Sequence, residues 1–362
     1  MHRQSKNLFL VCMLAMAGCL LILPGCAATS SDRIKNMEES KDTVYNLAYA
    51  TNNSSTSEMY QNVEHELLAR ITEATDGRIV FTEYLASSLV KSGEGKESVL
   101  NDIVDVVFDS PSWYGGAFPL TTTTELALGL ESGKVMSYVY RDLIEEFQPE
   151  EYKGLKVLLP MSSGSRLIIS TDPIKSLEDL QNKQIRASAT TSKLVREWGA
   201  VPTTISSSDV YEALQNNLIS GGVFSYESMI ESRYYDICDF ITDLAATQTN
   251  TVIYMSQDKF DALPEDIQQI IEETADEFFE EKASGWWASF RDEALRIAKE
   301  NNPNIEWIEL DDEEVARWVA AADDYTQEYA EQLDSLGYNG QEILNWIKER
   351  YAHYKQLYPD SL

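Results

Sequence analysis

The sequence predicts an α/β protein of two domains followed by a run of C-terminal helices. Three observations predict it. Strand patterns alternate with helical patterns from Val44 to Phe108, and the alternation resumes from Leu155 to Met255. From Pro264 onward the pattern is helical almost to the end. About 320 residues remain once the N-terminal segments are set aside, which suits two domains better than one.

The elements follow in order. Val44–Ala50 alternates and reads as a strand. Met59, Val63, Leu67 and Ile71 recur at spacing four, one face of a helix, and Gly77 stops it. Residues 78–82 read as the next strand. Val99, Ile103 and Val106 suggest a helix running into a strand at Asp105–Phe108. This order predicts a layered sheet with largely parallel pairing. In the second set, Leu155–Pro160 and Arg166–Ser170 read as strands. Ser176 with Asp179 forms a capping pair for a short helix. A strand is expected at 184–187 and a helix at Lys193–Trp198, stopped by Gly199. A strand at Val201–Ile205 leads to a helix at Asp209–Asn217 with serine N-caps at 206–208. Gly221-Gly222 predicts a tight turn. Short strands are expected at 223–225 and 252–255. One long helix is expected from Pro264 to about Glu300, a second from about Asp312 to Leu333, and a third from Gly340 to about Tyr354.

The N-terminus reads as an export segment. Arg3 and Lys6 precede an apolar run from Leu8 to Leu23. The run ends in Leu23-Pro24-Gly25-Cys26, followed by small and polar residues. This resembles the bacterial lipoprotein signal, in which the cysteine is acylated and becomes the mature N-terminus. Residues 1–25 are then the signal peptide, Cys26 the lipidation site and 26–43 a flexible tether. Cys19 is a second candidate, and an uncleaved membrane anchor is the competing reading of the same run. Of the four cysteines only Cys238 then lies in the body, so no intramolecular disulfide is expected.

Charge and composition exclude several classes. The formal net charge is −31, and loss of residues 1–25 removes two positive charges and no negative ones, carrying it to about −33. Nucleic-acid binding needs a basic footprint and is not expected. There are three histidines, and His2 leaves with the signal. No Cys/His cluster of zinc type, phosphate loop, dinucleotide fingerprint or calcium loop is present, so neither metal nor cofactor is expected. The acidic pairs at Glu272-Glu273, Glu280-Glu281 and Asp311–Glu314 read as solvated helix faces. No catalytic constellation stands out.

Five segments in order carry a family resemblance. They are Thr75-Asp76-Gly77-Arg78-Ile79, Gly115-Gly116-Ala117-Phe118-Pro119-Leu120, and Ile174-Lys175-Ser176-Leu177-Glu178-Asp179-Leu180 leading to Lys183-Gln184-Ile185-Arg186. Asp209-Val210-Tyr211-Glu212-Ala213-Leu214-Gln215 and Leu263-Pro264-Glu265-Asp266 complete the set. The chain resembles the solute-binding receptors of tripartite ATP-independent periplasmic (TRAP) transporters, the dicarboxylate-receptor (DctP) type, from about Val44 to Asn345. The resemblance implies a two-lobed periplasmic-binding-protein-like α/β fold, with a ligand cleft between lobes and a long helix spanning both. It implies lobe I at 44–163 plus 252–290 and lobe II at 164–251 plus 291–362. It implies a monomeric transport receptor, not an enzyme, that passes a small organic acid to TRAP membrane permease subunits.

The resemblance also implies site residues. Arg186 would grip the ligand carboxylate and Arg166 would support it. Asn52, Ser110, Trp113, Phe224 and Tyr226 would line the cleft. A guanidinium suits the task because its planar donor fork matches a carboxylate with two parallel hydrogen bonds. Ser220-Gly221 stands where the family has Asp-Gly, and Val223-Phe224-Ser225 follows where polar contacts are usual. The cleft floor is therefore expected to be more apolar or aromatic than in sugar-acid receptors. A ligand-binding sensor lipoprotein for a membrane signalling partner, a carboxylate-based extracellular enzyme and an ATP-driven uptake receptor are the competing functional readings.

Overall fold

The computed structural model describes residues 43–188 and 190–361, with the backbone alone at Ser207 and Ser208. Eleven strands are described: β1 (Tyr45–Ala50), β2 (Ile79–Tyr84), β3 (Val106–Asp109), β4 (Leu155–Ser162), β5 (Leu167–Ser170), β6 (Gln184–Arg186), β7 (Val201–Thr203), β8 (Gly221–Phe224), β9 (Phe240–Asp243), β10 (Asn250–Ser256) and β11 (Glu306–Glu309). They form two sheets, ordered β2-β1-β3-β10-β4 and β11-β9-β5-β8-β6-β7. The chain crosses between the sheets after β4, after β9 and again before β11. The expected parallel pairing holds for β1 with β2 and β3. The crossing strands break it, because β10 runs antiparallel to β3 and β4, and β5 antiparallel to β8 and β9.

Local chemistry explains the frame around the first strands. The helix His65–Ala74 buries Leu67, Leu68 and Ile71. It stops where Gly77 takes φ +76°, a conformation that costs glycine little. The Thr75 hydroxyl then accepts the Ile79 N–H at 3.1 Å and starts β2. Ser176 and Asp179 form the expected capping box.

Three expectations need correction. Gly221 and Gly222 are not a turn but the first half of β8. The reason is space: a Cβ on Gly221 would lie 2.6 Å from the Ile169 carbonyl oxygen, and one on Gly222 would lie 2.4 Å from the Phe224 ring. The long helix is interrupted, with Glu265–Glu281 and Trp286–Asn301 joined by a tight turn at Ala283–Gly285. Lys282 leaves helical geometry there, and its ammonium is bonded to Glu66. The second C-terminal region is two helices, Asp312–Ala321 and Asp323–Ser335.

The helix Gly133–Phe147 has no counterpart in the sequence reading. Its Val135, Met136, Val139 and Leu143 meet Leu333, Ile343, Leu344 and Ile347 from the last two helices. Its other side buries Tyr138 and Tyr140. Burial on two faces leaves no single apolar stripe to recognise. A continuous apolar cluster joins the sheets, running from Leu47 and Val106 through Phe278, Phe279, Trp286, Trp287 and Phe290 to Ile169 and Phe224.

Candidate functional site

The site forms where two crossovers lie side by side. The Ser163 N–H donates to the Thr249 carbonyl (2.8 Å), Arg166 N–H to Thr247 (3.0 Å) and Leu244 N–H to Arg166 (3.0 Å). The segments 163–166 and 244–249 thus form a short two-stranded hinge between the sheets. Gly133 sits against it so closely that a Cβ would fall 2.6 Å from the Gly164 nitrogen.

Two arginines stand apart from all others here. Among the described residues, every other arginine except the exposed Arg196 is ion-paired with a carboxylate. Arg166 is buried, and its Nε donates to the Gln248 carbonyl at 3.2 Å. Burial pushes its pKa down to about 10, with Glu125 opposing and Arg186 adding to the effect. The two guanidinium groups therefore lie within electrostatic reach of each other.

Arg186 ends β6 and pairs with Gly222 of β8. Its guanidinium lies 5.5 Å from the centre of the Phe224 ring, a contact worth about 0.5–2 kcal/mol. Its Nε is buried without any hydrogen-bond partner. Burial lowers its pKa, as expected for a charge that lacks a counter-ion. Phe224 packs in turn on Tyr234, with ring centres 4.5 Å apart. Gly222 makes this arrangement possible, since its missing Cβ would also lie 3.0 Å from the Arg186 Cβ.

The other expected residues divide into groups. Asn52 and Trp113 line one small cavity with Phe108 and Asp109 at the end of the first sheet. The Asn52 Oδ1 is buried and unpaired. Trp113 is half-buried and meets Phe108 edge-on at 6.4 Å. Ser110 is buried and already committed, donating to the Asn250 carbonyl at 2.7 Å and bonded to the Ser112 hydroxyl at 2.8 Å. Tyr226 has different neighbours. Its hydroxyl donates to Asp243 at 2.9 Å and its ring leans on Trp307. Cys26 lies outside the described residues.

Residues absent from the sequence reading complete the hinge. Glu125 is buried. Its Oε1 accepts the Asn250 N–H at 2.8 Å, and its Oε2 has no partner. Burial pushes its pKa up to about 7, against the pull of Arg166. Thr124 accepts from the side-chain amides of both Gln248 and Asn250. A signal existed: Glu125 is the single charged residue between Asp109 and Glu131, and Arg166 the single one between Lys156 and Asp172. A lone charge in a long uncharged stretch marks a buried one.

A roomier cavity lies elsewhere, an open groove of about 810 Å³ over the outer edge of β4. Acidic Glu145, Glu150, Glu273 and Asp276 line it, and its Lys156 is paired with Glu272. It offers an anion little. Among the described residues no group of acidic, histidine and cysteine side chains could hold a metal, and no helix is long and apolar enough to cross a membrane.

Two sheets joined by a paired crossover, with two arginines free of salt bridges at the junction, define a solute-binding protein, and the chain belongs to the DctP family, bacterial extracellular solute-binding protein, family 7, whose model matches residues 49–332. The ectoine-binding periplasmic protein TeaA of Halomonas elongata is 25% identical over 280 residues, covering 73% of this chain and 79% of TeaA. A TRAP periplasmic solute-binding protein from Desulfovibrio salexigens, in an open complex, is 25% identical with a TM-score of 0.76, covering 86% of this chain and 96% of that one. A TRAP solute-binding protein from Rhodoferax ferrireducens with copurified benzoate superposes with a TM-score of 0.77 at 19% identity, over 87% and 99% of the two chains. The family and two-lobed α/β fold implied by the five ordered motifs are thus borne out.

Proposed function

We propose that this receptor captures a small organic carboxylate in the cleft between its two sheets, with Arg186 as the principal anchor and Arg166 in support, and passes it to TRAP membrane permease subunits. One observation carries the reading: Arg186 is a half-buried guanidinium with a buried, unbonded Nε and no ion-pair partner among the described residues. A charge left so costs free energy until an anion arrives. Charged hydrogen bonds contribute about 1.5–3 kcal/mol each, so a bidentate pair supplies about 3–6 kcal/mol of the roughly 8 that micromolar binding needs. Asn52, Trp113 and Phe224 form the walls. Ser110 and Tyr226 serve by holding the hinge and the second sheet. The lobes divide at 163/164 and 251/252, next to the paired crossover, and close about it. The benzoate held by the Rhodoferax protein and the ectoine bound by TeaA, each a compact ring, support a cyclic acid.

The protein works as a monomer without cofactor or turnover, tethered to the outer face of a membrane by lipid on Cys26. Mass spectrometry of the small molecule released on denaturing the purified protein tests the reading. The expected product is a carboxylate recovered unchanged after prolonged incubation. A non-acidic ligand, or conversion of the acid, refutes it. Loss of labelled palmitate on Cys26→Ser tests the anchor, and labelling that persists moves it to Cys19.

A further inference from the structure

We propose that Glu125 sets the charge of the site. By offsetting Arg166 it leaves Arg186 as the one arginine at the junction with no carboxylate acting on it, so the receptor takes ligands with one carboxylate on an uncharged body and discriminates against dicarboxylates. This rests on the carboxylate reading above and narrows it.

The hinge laces Glu125 and Arg166 into one unit. The Arg166 Nε is fixed on the Gln248 carbonyl at 3.2 Å, and the Glu125 Oε1 on the Asn250 N–H at 2.8 Å, two residues further along the same segment. The Thr247 hydroxyl donates to the Glu125 carbonyl at 2.6 Å. The Gln248 and Asn250 side-chain amides both donate to Thr124, the residue before Glu125. The stretches 110–130 and 157–171 carry these two charges and no others, and 244–256 carries none. Both groups are buried, so the Glu125 charge acts on Arg166 in low dielectric without a direct salt bridge. With its pKa pushed up to about 7, Glu125 carries that charge more fully as pH rises above neutral, and the discrimination strengthens in the same direction. Arg186 has no such partner among the described residues.

Around Glu125 the unpaired buried atoms favour a donor partner. Glu125 Oε2, Gln248 Oε1 and Asn250 Oδ1 are acceptors, as is Asn52 Oδ1 at the end of the first sheet; Ser162 and Thr251 add two hydroxyls, and the unpaired donors Trp287 Nε1 and Arg291 Nε belong to a separate small cavity beside Tyr226. The amide orientations of Gln248 and Asn250 follow from their donor bonds to Thr124. A second carboxylate placed at the hinge would meet the Glu125, Gln248 and Asn250 oxygens, with Arg166 already offset by Glu125. An apolar ring would instead meet Phe224 and Trp113. A ligand hydroxyl or N–H could donate to the oxygens.

The test screens full-chain wild-type protein and Glu125→Gln by thermal shift. One set of probes holds monocarboxylates (benzoate, phenylacetate, mandelate), the other dicarboxylates (succinate, glutarate, isophthalate). The Kd of each hit is then measured by calorimetry. Glutamine keeps an acceptor for the Asn250 N–H and removes only the charge. Wild-type hits are expected among monocarboxylates, and Glu125→Gln should improve dicarboxylate affinity relative to monocarboxylate affinity by about tenfold or more. Wild-type protein that binds a dicarboxylate as tightly as its best monocarboxylate overturns the inference and leaves the carboxylate reading standing. So does an unchanged ratio in a folded Glu125→Gln protein. If no carboxylate binds either protein, both fall. Should Glu125→Gln fail to fold, the wild-type preference alone decides.

Discussion

Replacing Arg186 separates binding from stability. In the free protein the guanidinium has no ion-pair partner and no hydrogen bond among the described residues, and touches mainly the Phe224 ring. Arg186→Ala therefore removes a cation–π contact of about 0.5–2 kcal/mol, together with an unpaired buried charge whose removal is favourable. The two terms oppose, so the melting temperature of the free protein should stay within about 2 °C, the shift that roughly 1 kcal/mol gives in a chain of this size. Binding should suffer far more. Loss of a bidentate pair removes about 3–6 kcal/mol, a fall in affinity of roughly two to four orders of magnitude. Arg186→Lys should also weaken binding strongly, because it restores charge without the fork. Calorimetry with the copurified acid reads the affinity, and scanning fluorimetry without ligand reads the stability. Affinity of Arg186→Ala within threefold of wild type, with an intact fold, would refute the reasoning.

Further outcomes follow from the same geometry. Gly222→Ala places a methyl 2.4 Å from the Phe224 ring and 3.0 Å from the Arg186 Cβ; it should destabilise by about 1–3 kcal/mol and weaken ligand binding as well, measured by denaturant unfolding and calorimetry. Glu64 is buried against Tyr49 and Asn53, with its pKa pushed up to about 7 from 4.5 by burial. The folded state therefore holds an extra proton between those values, and stability rises as pH falls from about 7 toward 4.5. Glu64→Gln should flatten that part of the melting-temperature profile, and an unchanged slope would contradict the assignment. The net charge of −31 surrounds an anion site, yet screening at physiological salt acts within about 8 Å. Raising salt should leave the ligand on-rate unchanged or increase it in stopped-flow measurements, and a decrease would contradict this.

Much of the frame was legible because strands and helices with one buried face carry their period openly. Leu67 and Ile71 marked their helix, and Ser176 with Asp179 marked a cap that forms as expected. The two arginines were legible only through resemblance, since Arg186 looks in isolation like a strand surface residue. Glycine misled at Gly221-Gly222, where the permissive backbone serves close packing and not a turn. Glu125 carried one signal, its isolation between Asp109 and Glu131, but that marks burial alone and says nothing of its arginine neighbour forty-one residues on. The hinge escaped because its order comes from hydrogen bonds between segments some eighty residues apart. No local period encodes such a contact.

The central claim is that Arg186 holds a ligand carboxylate. A crystal structure of the protein with its copurified ligand tests it most directly. The expected complex has a carboxylate taking two N–H donors of Arg186 at about 2.7–2.9 Å, with the ligand body against Phe224. A ligand that leaves the Arg186 guanidinium unengaged, or that binds through a group other than a carboxylate, would contradict it.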